Sequence, residues 1–236
     1  MSLRRKLLAE FVGTSALLAT VVGSGIMGAN LSGGNDGLAL LANAAATAGM
    51  LYVLIAALGP ISGAHLNPAV TLAMRLRGEV TTTVAVAYIA VQTVAAVTGV
   101  LLAHAMFDLP LWQPGLRARS GSGQWLSEAV ATFGLLLTVL LGARHRPAAL
   151  PMLVAGYIFA AYWFTASTSF ANPAVTLARS LTQSFAGIRP DDVAGFVLAQ
   201  LVGAIGALWF ATLLLTRSAD GADSSLDPKP ANAEAP

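Results

Sequence analysis

The 236-residue chain has no cysteine, so neither a disulfide framework nor a thiolate metal site is available to it. Charge is scarce as well. Asp, Glu, Lys and Arg together make 10% of the residues, where a soluble domain carries about 25%. Acid is scarcer still within the apolar stretches, where, apart from Asp192 at the edge of the last one, only Glu10 and Glu128 fall. Hydrophobic residues make 56% of the chain, and the mean hydropathy is +0.71. So little charge with so much apolar material points to a membrane protein. The net charge of +2 is uninformative by its sign; no nucleic-acid partner and no cofactor are expected.

What the chain does have is long hydrophobic runs. A span takes about 20 mostly apolar residues. Six stretches qualify: roughly 7–29, 38–59, 80–105, 124–142, 148–167 and 192–215. Two shorter apolar pieces, 68–77 and 173–183, cannot cross about 30 Å of hydrocarbon. The N-terminal MSLRRKLLAEF reads as the start of an uncleaved first span, because the apolar run to Ala29 outlasts a signal-peptide core. Loop 108–123 is rich in Pro, Gly and Arg, and 217–236 reads as a disordered cytoplasmic tail. Nine of the thirteen Lys and Arg residues fall on the side shared by both termini and four on the other, which predicts cytoplasmic termini.

The string NPAVTLA occurs twice, at 67–73 and at 172–178. Other features repeat with it. Glu10 and Glu128 each lie near the start of a span, and Gln92 with Gly99 echoes Gln200 with Gly206. Each half therefore reads as span, span, short helix, span. Three crossings per half is odd, so the halves lie in the membrane with opposite polarity, an inverted repeat. The repeats run over 1–107 and 124–216, with 108–123 as the connecting loop.

Asn-Pro-Ala is a helix start. Asn67 and Asn172 are favoured N-caps, and Pro68 and Pro173 at the first helical position lose no hydrogen bond. Ala69 and Ala174 continue each helix. Opposed half-helices bring two N-termini, each worth about half an elementary charge, together near the midplane. Each Asn oxygen caps its own helix, which leaves the amide NH₂ to donate into a lumen. The non-helical backbone before each Asn offers carbonyl acceptors, and it is tolerated in a membrane only if packed in protein or lining a cavity.

Glu10 and Glu128 each admit three readings: a brace for the loop that holds a half-helix, a proton relay, or a carboxylate reaching to the interface. Their symmetric placement favours the brace. His65 reads as a packed polar strut near the inner vestibule, with a gate as the alternative, and His104 as an interfacial residue. Gly23, Gly25, Gly28, Gly99, Gly203 and Gly206 read as close helix contacts.

Over about residues 7–215 the chain resembles the major intrinsic protein family, the aquaporins and aquaglyceroporins. The two NPA strings and the wording SGAHLNPAVT carry that resemblance. It implies an all-α hourglass of six transmembrane helices and two re-entrant half-helices. It also implies a homotetramer in the lipid bilayer, here a bacterial inner membrane, and passive conduction of water or small neutral solutes without catalysis. Family members usually carry Arg directly after the second NPA; this chain has Val175. Counting from the motifs places the other filter positions at Thr47, Ala160 and Ser169.

That filter, Thr47, Ala160, Ser169 and Val175, is small and without aromatic or charge. It implies a wide opening that passes solutes larger than water, with glycerol, urea and arsenite as As(OH)₃ as candidates. Arg179, one turn further on, is the residue that could swing in and restore an ordinary water-selective pore. An ion-coupled secondary transporter remains the other alternative, since such proteins also use inverted repeats and broken helices. An intramembrane enzyme finds no Ser/His/Asp set or metal cluster. Because thiols are absent, mercurials should not block water flux in proteoliposomes by thiol capping; clear, reversible Hg²⁺ inhibition would contradict this.

Overall fold

The computed structural model describes residues 1–216, so the tail expected over 217–236 lies outside the described residues. Eight α-helices follow one another: α1 (Leu3–Leu31), α2 (Asp36–Ser62), α3 (Pro68–Leu76), α4 (Thr82–Met106), α5 (Ser122–His145), α6 (Leu150–Phe164), α7 (Pro173–Arg179) and α8 (Val193–Thr216). Short 3₁₀ turns, Pro147–Ala149 and Pro190–Asp192, lead into α6 and α8. Six helices have the length and composition to cross a membrane, and the two short ones are α3 and α7.

The distribution of polarity is the reverse of a soluble protein's. Leu8, Val12, Val86, Val94, Leu126, Leu198, Val202 and Trp209 are exposed on the outer faces of the long helices. Glu10, Asn43, Gln92, His104, Glu128 and Gln200 are buried inside. An apolar exterior suits lipid, while an interior stocked with hydrogen-bonding groups suits irregular backbone and a pore.

The helix ends follow local chemistry. Asn35 caps α2 through its side-chain oxygen, which accepts from the Leu38 N–H at 3.1 Å, and Thr81 caps α4 in the same way. Gly63, at φ +89°, closes α2 in the left-handed region where glycine costs least. The second short helix ends at Arg179, four residues before the expected 183, because Ser180 takes the cap and its hydroxyl donates to the Leu177 carbonyl at 2.7 Å. From there residues 180–189 turn back against the loop before α5. The Gly115 N–H donates to Ser180 O at 2.8 Å, and the Arg189 N–H to Arg117 O at 2.8 Å.

The two halves pack alike. α1 lies along α4 and α5 along α8, while α2 packs on α6 between the halves. Small residues set the closeness of the α1–α4 and α5–α8 pairs. A Cβ on Gly99 would collide with the Ser15 carbonyl oxygen of α1, and one on Gly203 with the Ala129 carbonyl oxygen of α5. Gly206 is looser, since its Cβ would meet Phe133 at an ordinary 3.5 Å. His104 departs from expectation. It is fully buried rather than interfacial, with Nδ1 on Leu111 O and Nε2 on Thr182 Oγ1, both at 2.8 Å. It thereby ties the loop before α5 and the loop after α7 to the end of α4.

Overpacking a close contact costs about 1–3 kcal/mol. Gly99→Ala and Gly203→Ala should each lower the melting temperature of the detergent-solubilised protein, with Gly206→Ala nearly neutral. Equal melting of all three would refute this packing account.

Candidate functional site

The backbone before each short helix is irregular and needs partners. Gly63, Ala64 and Leu66 in the first loop, and Thr168, Ser169 and Ala171 in the second, all have positive φ. Such conformations persist in non-glycine residues only when the surroundings impose them. Two buried carboxylates do so. Glu10 accepts from the His65 N–H at 3.0 Å, the Leu66 N–H at 2.7 Å, the Ser62 hydroxyl at 2.7 Å and the Gln92 amide at 2.8 Å. Glu128 accepts from the Phe170 N–H at 2.8 Å, the Ala171 N–H at 2.9 Å and the Gln200 amide at 2.6 Å. Both carboxylates are fully buried, so neither reaches to an interface. Donors from backbone and glutamine occupy their oxygens.

The helix starts interlock. Asn67 accepts from the Ala69 N–H at 2.8 Å, and Asn172 accepts from Ala174 and Val175 at 3.0 and 3.2 Å. Each Asn amide then crosses to the other repeat: Asn67 Nδ2 donates to Ala171 O and Asn172 Nδ2 to Leu66 O, both at 2.8 Å. Capping alone leaves the whole NH₂ free. One of its two hydrogens is in fact taken by this cross-tie, and one remains for the lumen.

A cavity of about 250 Å³ runs past both Asn residues and takes lining from both repeats. Its lining includes Glu79, just before α4, and Arg179, three residues before the Thr182 that binds the last turn of α4. Each short helix presents the same stripe to it: Asn67, Val70 and Met74 from α3, and Asn172, Val175 and Arg179 from α7. Positions 0, +3 and +7 share one face of a helix.

The repeat symmetry extends to the side chains behind the Asn residues. His65 and Phe170, each two residues before its Asn, both line the cavity. His65 meets the Tyr88 ring edge-on at 5.2 Å and 70°, and Phe170 meets Phe196 at 5.1 Å and 70°. The His65 imidazole also sits 3.1 Å from Thr71 Oγ1.

Three of the four counted filter positions, Thr47, Ser169 and Val175, line the cavity, and Ala160 does not. Ala160 faces outward on α6, while Ile158 and Tyr162 on the other side of the helix turn inward. The count of twelve back from Asn172 carries a register from the resemblance across an irregular link; the lumen-facing aromatic lies ten back. Tyr162 donates its hydroxyl to Thr47 Oγ1 at 3.3 Å, joining α6 to α2. Arg179 also reaches the lining, its guanidinium carbon 3.4 Å from the Phe170 ring centre. The four counted positions carry no aromatic and no charge, but the cavity lining also includes Tyr162, Phe170 and Arg179. Arg179 is legible at the +7 position of the stripe, and Phe170 as the repeat partner of His65. Nothing local marks Tyr162.

Arg119, from the loop before α5, comes to the same place. Its Nε donates to Gly187 O and its Nη1 to Ser167 O, both at 3.0 Å, and its guanidinium carbon lies 4.9 Å from the Phe170 ring centre. Burial first, then repulsion from the Arg179 and Arg117 guanidiniums, pulls Arg119 down to about 9, which still leaves it protonated at neutral pH.

Replacing either carboxylate by its amide turns a donor NH₂ toward donors and leaves a buried N–H unpaired, a cost of about 1–3 kcal/mol. Glu10→Gln and Glu128→Gln should each lower detergent stability and solute flux together. Full stability with flux altered only in its pH dependence would favour a proton relay instead.

The sequence profile described as "Major intrinsic protein" matches residues 1–149. The aquaglyceroporin AqpS of Rhizobium meliloti (strain 1021) is 55% identical over 206 residues, which cover 87% of this chain and 88% of that protein. A probable aquaporin, PIP2-8 of Arabidopsis thaliana, is 30% identical over 247 residues, covering 98% of this chain and 88% of that protein. Among solved structures, the X-ray structure of the aquaglyceroporin from Plasmodium falciparum superposes with a TM-score of 0.71. That match covers 90% of this chain and 95% of the other at 20% identity, a likeness of fold. With a matching profile over most of its length and a close relative over nearly all of it, the chain belongs to the major intrinsic protein family.

Proposed function

We propose that the protein is a passive membrane channel for water and small neutral solutes. The observation that carries this reading is the cavity that passes two opposed Asn amides, each fixed by its own helix N-cap and by a cross-tie to the other repeat. A passing water or hydroxyl meets amide donors at the centre. Glu10 and Glu128, the acids buried within the long apolar helices among the described residues, are saturated with donors and leave no site for a coupling ion. Half-helices α3 and α7 enter from opposite faces of the membrane in this reading, the termini are cytoplasmic and the membrane is a bacterial inner membrane. A homotetramer is the assembly that family membership suggests.

The aquaglyceroporin relative supports polyol-sized solutes, with glycerol foremost and urea and As(OH)₃ as further candidates. Small Thr47, Ser169 and Val175 leave room for them. The water-selective alternative draws on a specific observation as well: the Tyr162–Thr47 hydrogen bond and the Arg179 side chain narrow the same end.

Stopped-flow flux of water, glycerol, urea and arsenite into proteoliposomes tests this directly. Glycerol should equilibrate without accumulating, and accumulation above equilibrium under an ion gradient would sink the channel reading. Val175→Arg should lower the glycerol-to-water flux ratio by about tenfold, and Tyr162→Ala should raise it by a similar factor. A ratio unmoved by both would show that these positions do not set the cutoff.

A further inference from the structure

We propose that Leu111 and Trp112, in the loop between α4 and α5, form an anchor in the interfacial layer of the bilayer that pins this loop beside the segment following α7. Three membrane-capable helices precede the loop, so it lies on the face opposite the N-terminus, whatever the pore conducts.

The lipid-facing row of α4 leads to the anchor. Val86, Ala90, Val94, Thr98 and Leu102 are exposed at four-residue intervals, and Met106, 59% exposed, ends the row. Residues at i and i+4 sit one above the other on a helix, so the row is continuous. The 25 residues of α4 rise about 37 Å, more than the roughly 30 Å of hydrocarbon, which puts the helix end at interfacial depth. There the chain folds back on the helix. The Leu109 N–H donates to His104 O at 3.0 Å, and the Leu111 carbonyl lies 2.8 Å from His104 Nδ1. Within this turn the side chains divide. Phe107 and Leu109 pack inward against the cluster that holds Val22, Val100 and Ala103, while Leu111 and Trp112 stay 47% and 63% exposed. Residues 106–116 carry one charged side chain, Asp108.

An exposed group of Met, Leu and Trp marks a surface that another phase or partner covers. Continuity with the outer row of α4 selects the bilayer as the occupant. Indole suits that depth, with its ring toward the acyl chains and its N–H toward the headgroups. The anchored turn is also fastened to the surroundings of the pore. His104 Nε2 lies 2.8 Å from Thr182 Oγ1, three residues beyond Arg179 of the cavity lining. Past the anchor, the Gly115 N–H donates to Ser180 O at 2.8 Å and Arg117 Nη1 to Phe185 O at 3.1 Å. One segment therefore grips lipid at its start and the chain after α7 further on, and it lifts away only if the indole leaves the interface.

Because the chain has no cysteine, one substitution places one spin label. In proteoliposomes, labels at Leu111→Cys and Trp112→Cys should be relaxed more by oxygen, which concentrates in lipid, than by a water-soluble nickel chelate. A label at the exposed Ser120→Cys should show the reverse order. Greater access to the chelate at either 111 or 112 overturns the anchor. Shielding from both agents would mean that a second copy covers the turn, and overturns it equally. Trp112→Ser should speed tryptic cleavage after Arg117 by about tenfold, as the loop opens more often, while Trp112→Phe stays near the unmodified protein. An unchanged cleavage rate in Trp112→Ser would show that the indole does not hold the loop.

Discussion

Irregular backbone inside a membrane is tolerable only when every N–H it exposes finds an acceptor, because hydrocarbon offers none. Glu10 and Glu128 meet that requirement, and the rest of the pore depends on it. Each carboxylate gathers the two N–H groups just before an Asn, so the loop can hold positive φ at residues that would otherwise avoid it. With the loops fixed, the Asn side chains can cap their helices and cross-bond to one another's repeat. Gln92 and Gln200 complete the arrangement by linking each carboxylate to the threonine one turn into each short helix.

The same architecture is then made unequal at its two ends. The repeats supply matched positions, and chemistry differs at each match. His65 and Met74 stand where Phe170 and Arg179 stand in the other half. At the first end the imidazole is tied to a neighbouring threonine. At the second an aromatic face carries two guanidiniums, one from a short helix and one from a loop that crosses to reach it. Symmetry fixes where side chains enter the lumen, and departures from symmetry make its two ends chemically different.

The register of α6 shows how far local reading extends. Ala160 and Tyr162 are two residues apart, about 200° around a helix, so an error of two exchanges a lipid-facing residue for a lumen-facing one. The non-helical link from Thr165 to Asn172 has no periodicity from which to count. The stripe on α7 is different. Asn172, Val175 and Arg179 lie on one unbroken helix, so their common face follows from spacing alone, and with it the direction of Arg179.

The sequence by itself determined the six long helices, the two short ones, the internal repeat and the chemistry of the two Asn-Pro starts. Each of these is local, a matter of apolar length, capping preference and a repeated string. Tertiary structure alone decided that Tyr162 rather than Ala160 faces the pore. It also decided that His104 is buried beneath two loops, and that Arg119 travels from the connecting loop to the ring of Phe170. Those outcomes turn on how irregular segments close against distant parts of the chain, and no periodic signal within a segment encodes its partner.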